Sequence, residues 1–309
     1  MDLTARPLQT DEDFWRARRF LREVFLCNDR LEHSWNVARL DYWRWHMIPT
    51  AQMPGPVESV TTLWETGDGA IVAALNPLAP GELRLHVHPH FRTPALEDEL
   101  LARAEAHLFT QDEQGRRYVY LPVEDDDRLR QEVLARRGYT RLEGKSHAWR
   151  RDLGGALPDA PVPDGYRIRS MGELDEHPAR SWASWRAFHS DEPAEAYDDD
   201  WAWYQNIQSA PLYRRDLDIV AVAPAGEMAA FCTIYYDDDS RSAVCVLVGT
   251  AAEHWRRGLG KAVMREGMRR LERMGCTRVF ATAYDPPANA LYGSMLQACQ
   301  VAETWLKVL

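Results

Sequence analysis

One short pattern occurs twice in this chain. Residues 41–45 read Asp-Tyr-Trp-Arg-Trp, and residues 199–203 read Asp-Asp-Trp-Ala-Trp. Trp43 and Trp201, like Trp45 and Trp203, stand 158 positions apart in a chain of 309 residues. A repeat of that length points to one domain written twice rather than to a solenoid of short units. The flanking segments agree. Each half opens on a strand-like segment, Leu3–Pro7 and Tyr166–Ser170. A helical stretch follows, Asp13–Phe25 and Pro178–Phe188, and then the Trp-rich helix. Next come paired strands with glycine turns between them. These are Val60–Trp64 with Ala70–Asn76, and Ile219–Ala223 with Met228–Tyr236. Further strands are expected at Glu82–His88 and Ala243–Thr250, then at Tyr118–Val123 and Arg278–Tyr284. Between them lie helices with an apolar stripe of period 3.6: Leu96, Leu100, Leu101, Ala104 and Leu108 in one, Leu259, Ala262, Val263, Met268 and Leu271 in the other. Last strands end near Trp149 and Trp305. The order predicts a mixed α/β fold built twice. Glycines and prolines between the halves mark a linker. The expected division is 1–153, a linker at 154–164, and 165–309.

Charge narrows the partners. A net charge of −10 and a pI near 5.5 disfavour nucleic acid, whose phosphates an acidic surface repels. No apolar run approaches the length of a membrane span. The acidic, polar first residues do not resemble a signal peptide. The five cysteines are odd in number and have no metal-ligand spacing. They read as reduced, mostly buried thiols of a cytoplasmic protein. His86, His88 and His90 alternate as on one strand face, and solvated imidazoles at a strand end are expected there rather than a metal site.

The second half contains the stretch that carries chemistry. An apolar strand, Ala243–Thr250, runs into a loop with Gly258 and Gly260, which opens directly into the amphipathic helix. Glycines let successive main-chain N–H groups converge on an anion, and the helix adds its dipole and its unpaired N–H groups. Arg256, Arg257 and Lys261 add positive charge. A pyrophosphate is the expected ligand. A P-loop would need a glycine where Trp255 stands and Ser or Thr where Ala262 stands; a dinucleotide fingerprint would need a glycine at Val263.

The loop resembles the acyl-CoA loop of the GNAT superfamily of N-acyltransferases: Gln or Arg, two residues, Gly, one residue, then Gly or Ala. Gly258 and Gly260 match it; Trp255 holds the first position, and Arg256 stands next to it. The resemblance implies two tandem GNAT-like domains, each a mixed, mostly antiparallel sheet flanked by helices. It implies that Arg256, Arg257, Gly258, Leu259, Gly260 and Lys261 hold the pyrophosphate of acetyl-CoA. Val248, Gly249 and Thr250 would pair with its pantetheine arm. The family's Asn-x-x-Ala-x-x-Leu-Tyr motif is met by Ala288, Leu291 and Tyr292, with Asp285 at the Asn position. Tyr292 is thereby implied as the proton donor to the leaving thiolate, and nearby Asn289 as an amide for the cofactor. Leu296 and Gln297 replace the family's Gly-Phe pair. Glu253 and Asp285 are both open as the general base, and each also reads as a solvated carboxylate.

The first half lacks the glycines. Pro94 removes an N–H, and Glu97, Asp98 and Glu99 put carboxylates at the helix start, where they suit the dipole and repel an anion. The first copy is therefore expected not to bind acyl-CoA. The resemblance implies transfer of an acetyl group from acetyl-CoA to a primary amine of a small molecule, without a metal, by a monomer or homodimer. A non-catalytic acyl-CoA-binding or regulatory protein of the same fold is the alternative.

Overall fold

The computed structural model describes residues 2–50, 53 and 55–309. In chain order the strands are β1 (Thr4–Pro7), β2 (Thr62–Glu65), β3 (Ile71–Ala79), β4 (Glu82–Val87), β5 (Thr110–Gln111), β6 (Arg117–Glu124), β7 (Thr140–Asp152), β8 (Arg167–Ser170), β9 (Asp218–Val222), β10 (Met228–Asp237), β11 (Ser242–Thr250), β12 (Arg278–Ala283) and β13 (Gln297–Val308). The helices are α1 (Asp11–Cys27), α2 (Val37–Tyr42), α3 (Ile48–Thr50), α4 (Val57–Val60), α5 (Pro94–His107), α6 (Arg128–Arg136), α7 (His177–Phe188), α8 (Ala202–Gln208), α9 (Leu259–Arg273) and α10 (Pro286–Gly293).

These elements form two compact units, Met1–Ser146 with Gln300–Leu309, and His147–Cys299. The division expected at 1–153, 154–164 and 165–309 is displaced, and strand pairing is the reason. Residues His147–Asp152 of β7 pair antiparallel with β12, from Ala283 back to Arg278. Residues Ala302–Val308 of β13 pair with β6, from Glu124 back to Tyr118. Each sheet thus takes a strand from the other half of the sequence, and the chain crosses between units inside β7 and inside β13. Residues 154–164 are not a free tether. They are strapped within the second unit: Gly154 N donates to Glu272 (3.1 Å), and Arg265 Nε donates to the Pro158 carbonyl (3.1 Å).

In the first unit the sheet runs β1-β2-β3-β4-β6-β13, with β5 on β6. It is antiparallel except where β4 and β6 meet in parallel, at Glu82 and Tyr120. Helix α1 starts where Thr10 accepts from Asp13 N, with Asp11, Glu12 and Asp13 in the first turn to suit the dipole. Its buried Phe14, Ala17, Leu21 and Val24 recur at helical spacing and pack with Trp43, Leu63, Trp64 and Leu75. Of the three histidines His90 is exposed, as expected, and the other two are not. His86 ends up buried in β4, its Nε2 3.1 Å from Asn76 Oδ1 and its Nδ1 accepting from Trp35 N. Burial pushes it down to about 3, so it is neutral. His88 is buried beyond the strand end and its Nδ1 caps the next turn at His90 N. These imidazoles are held by the protein rather than solvated.

In the second unit the order is β7-β12-β11-β10-β9-β8. The pairing is antiparallel except between β11 and β12, which run parallel. Strand β10 is buried throughout. Helix α9 lays Leu259, Val263, Met264, Met268 and Leu271 on the sheet. Gly267 permits that approach: a Cβ there would lie 2.4 Å from Ile234 Cδ1. All five cysteines are free; Cys232, Cys245 and Cys276 are buried, Cys299 is partly buried and Cys27 is exposed. Among the described residues no group of three or more His, Cys, Asp or Glu is disposed to hold a metal, and no helix is long and apolar enough to cross a membrane.

Candidate active site

Strand β11 and helix α9 position the glycine loop. After Thr250 the chain makes a short 3-10 turn, Ala252–His254, and Arg256 (φ 60) and Gly258 (φ 81) both adopt left-handed backbone. That conformation is costly for arginine and free for glycine, and such strain gathers where a chain is shaped for a ligand. Gly258 is the N-cap of α9 and supplies no side-chain cap. The first helical bond runs from Ala262 N to Gly258 O. From Arg256 to Lys261 no main-chain N–H finds an acceptor among the described residues. Such a row of donors at a helix start is an anion cradle. Arg256 and Arg257 are exposed and Lys261 half-buried, and their side chains make no ion pair with any described residue.

Beside the cradle the sheet opens. β11 pairs with β12 only from Ser242–Arg278 to Val244–Phe280, although β11 runs on to Thr250. Its other edge stays bonded to β10 up to Thr250 opposite Ala230. Val248, Gly249 and Thr250 therefore present main-chain groups to a crevice at the carboxyl end of a parallel pair, where open α/β sheets receive ligands. Gly249 has no room for a side chain: a Cβ would lie 2.4 Å from Phe231 Cζ and 3.0 Å from Ala187 Cβ. Gly260 faces the opening itself, where a Cβ would meet Leu291 Cδ2 at 3.3 Å and Thr250 Oγ1 at 3.5 Å.

Helix α10 brings Tyr292 to the unit's core, where it is buried beside Leu291 and Met295. Asp285 is the N-cap of α10, its Oδ1 accepting from Ala288 N at 2.7 Å. Asn289 donates Nδ2 to the Asp285 carbonyl (3.0 Å) and accepts from Trp149 Nε1 (3.1 Å). These bonds fix the amide between α10 and β7 and leave the second Nδ2 hydrogen without a described acceptor. Trp149 comes from β7 and also packs on Gly293, whose Cβ would lie 2.9 Å from the indole. Glu253 accepts from Arg186 Nε at 2.6 Å. Burial opposes ionisation there, but the main-chain amide and Arg186 hold its carboxyl below the usual range. The structure thus gives both candidate bases, Glu253 and Asp285, a holding role. Replacing Asp285 by Ala is expected to cost about 1 kcal/mol of stability through the lost cap, read as a lower urea midpoint.

Sequence reasoning missed Arg186, Trp149 and His254. The last is buried, with Nδ1 2.9 Å from Tyr166 Oη. Trp255 turns back so that Nε1 donates to the Thr250 carbonyl at 2.7 Å. The aromatic residues of α7 form a half-exposed layer: Trp182 stacks on Trp185 at 5.6 Å, and Tyr197 closes on both at 5.2 and 5.6 Å. Phe188 is exposed, Trp201 and Trp203 are half-buried and Tyr204 is fully buried.

The first unit fills the same place differently. Thr93 Oγ1 caps α5 by accepting from Leu96 N, and its carbonyl accepts from Glu97 N. Glu97 is buried and bonded to Arg92 (2.7 Å) and Arg130 (2.9 Å). Burial opposes its ionisation, yet Arg130 and Arg92 keep it below the usual carboxylate range. An internal carboxylate stands where the second unit leaves donors open. Nearby, burial pushes Glu124 up to about 7 against the pull of Arg130. A carboxyl raised in the folded state stabilises fully below its unfolded value of about 4.3, and that stability is lost as pH rises through 7. The melting temperature is expected to fall across that window, and Glu124→Gln to flatten the fall in a pH series of thermal melts.

Comparison with known proteins agrees with this geometry. Residues 180–296 match the model of the acetyltransferase (GNAT) family, a family of acyltransferases. No curated protein matches by sequence. A GCN5-related N-acetyltransferase from Sphaerobacter thermophilus superposes with a TM-score of 0.64 at 18% identity, covering 99% of this chain and 95% of that one. A tandem GNAT protein from the clavulanic acid biosynthesis pathway gives 0.65 at 15% identity, with 99% and 98% covered. The Saccharomyces cerevisiae N-myristoyltransferase with bound myristoyl-CoA gives 0.54 at 10% identity, with 98% and 78% covered. The chain thus shares the fold of tandem GNAT proteins over nearly its whole length, and its residues 180–296 match the acetyltransferase (GNAT) family model.

Proposed function

We propose that the protein is an N-acyltransferase whose second unit moves an acetyl group from acetyl-CoA to a primary amine of a small molecule, by direct attack in a ternary complex. The observation that carries this is the row of main-chain N–H groups from Arg256 to Lys261, open to an anion and flanked by unpaired cations. These groups hold the pyrophosphate, and the free edge of Val248–Thr250 holds the arm. The amine nitrogen attacks the thioester carbonyl, the C–N bond forms and the C–S bond breaks. A main-chain N–H of the β11 exit donates to the carbonyl oxygen as it gains charge. The departing sulfur takes a proton from Tyr292. With Glu253 and Asp285 engaged elsewhere, the amine gives its proton to water in the crevice, and water returns one to the Tyr292 phenolate. Asp191, Glu192 and Glu195, exposed next to the aromatic layer, favour a cationic acceptor. The first unit, its helix start capped and its Glu97 paired, takes no acyl-CoA.

Release of free thiol from acetyl-CoA across a panel of amines tests the activity, and calorimetry is expected to give one CoA site per chain. Tyr292→Phe is expected to lower the transfer rate about tenfold or more, within the range for acid–base groups, while CoA affinity is kept. An unchanged rate removes Tyr292 from the reaction. One observation favours a non-catalytic acyl-CoA binder instead: both carboxylates near the loop are committed, to Arg186 and to the α10 cap. CoA binding without thiol release on any amine would select that reading.

A further inference from the structure

We propose that the first unit holds a binding site of its own, for a small zwitterion of amino-acid size. The parallel strands β4 and β6 meet at Glu82 and Tyr120 and are not paired beyond it. Outside their carboxyl ends lies a cavity of about 300 Å³, the low end of ligand pockets. Three segments wall it: the end of α1 with Asn28, the next loop with His33 and Ser34, and the head of α6 with Asp126 and Arg128. Arg92 and Arg130 also reach it, but Glu97 and Asp127 already pair with them.

The uncommitted groups set the ligand's chemistry. The side chains of Asn28, His33, Ser34 and Asp126 make no hydrogen bond or ion pair with any described residue, and Ser34 is only 6% exposed. Arg128 has a single long contact, 3.4 Å to Gln131. Burial holds His33 below its ordinary range, so it acts as a neutral donor or acceptor. One free carboxylate and one free guanidinium remain, with neutral hydrogen-bonding groups across from them. Asp126 and Arg128 stand exposed at the mouth, while Ser34 is buried and Asn28 and His33 are half-buried, and polar groups so placed without protein partners call for a ligand that supplies them. A molecule with one ammonium and one carboxylate answers both charges and leaves the cavity neutral. A pyrophosphate does not, because Glu97 and the Thr93 cap close the anion position. This site is independent of the acyl transfer proposed for the second unit.

Calorimetric titration of the full chain with the twenty common L-amino acids tests it, alongside the matching decarboxylated amines and deaminated acids. At least one amino acid is expected to bind at one site per chain. Its amine-only and acid-only analogues are expected to bind at least tenfold more weakly. Asp126→Asn, Arg128→Gln and Ser34→Ala are each expected to weaken binding tenfold or more with an unchanged melting temperature. Absence of binding by every amino acid, equal binding of either analogue, or full affinity in both charge variants would overturn the proposal.

Discussion

Gly260→Val is expected to weaken acetyl-CoA binding at least 100-fold while leaving the protein folded. Gly260 has ordinary helical backbone, where valine is a better helix former than glycine, so the fold tolerates it. What changes is the space. A Cβ already touches Leu291 and Thr250 Oγ1, and the two methyl groups beyond it project into the opening between the end of β11 and α10. The phosphates are then held off the N–H row. Charge-assisted hydrogen bonds contribute roughly 1.5–3 kcal/mol each, so losing two of them amounts to a factor of about 100 or more, at 1.4 kcal/mol per tenfold. Gly260→Ala is expected to fall between. Calorimetry with CoA and a thermal melt on the same samples separate binding from folding. A Gly260→Val protein that binds CoA normally would place the pyrophosphate elsewhere.

The second large effect concerns cutting the chain. A fragment of residues 165–309, the natural cut by sequence, is expected to be insoluble or to melt without cooperativity. A fragment of residues 147–299 is expected to melt cooperatively. The first lacks His147–Asp152, which form the whole β7 ladder on β12, and it leaves the β12 edge bare. It also carries Ala302–Val308 without the β6 partner. Unpaired apolar edges template aggregation. It loses Trp149 as well, which bonds Asn289 and packs on Gly293, so α10 is released. Circular dichroism melts of the two fragments decide this, and equal cooperativity would overturn it.

Most strands and helices were readable from periodicity because their patterns are local. Met228–Tyr236 and Arg278–Tyr284 were expected, and the strands run Met228–Asp237 and Arg278–Ala283. The glycine loop was readable because Gly258 and Gly260 have backbone consequences wherever they stand. The strand exchange was not, since only long-range pairing tells which sheet β7 and β13 each join. The engagement of Glu253 by Arg186 depends on a contact between residues 67 positions apart. The burial of His86 and His88 was hidden too, as strand alternation gives a face but not what covers it.

The same exchange sets an order of events at the ribosome. The second unit has all its strands once residue 299 has cleared the exit tunnel. The first unit, although translated earlier, waits for Gln300–Leu309. Domains ordinarily mature from the amino terminus during synthesis. Here the early half stays open at β6 until Ala302–Val308 emerge, and a nascent chain stalled before them would expose it to chaperones.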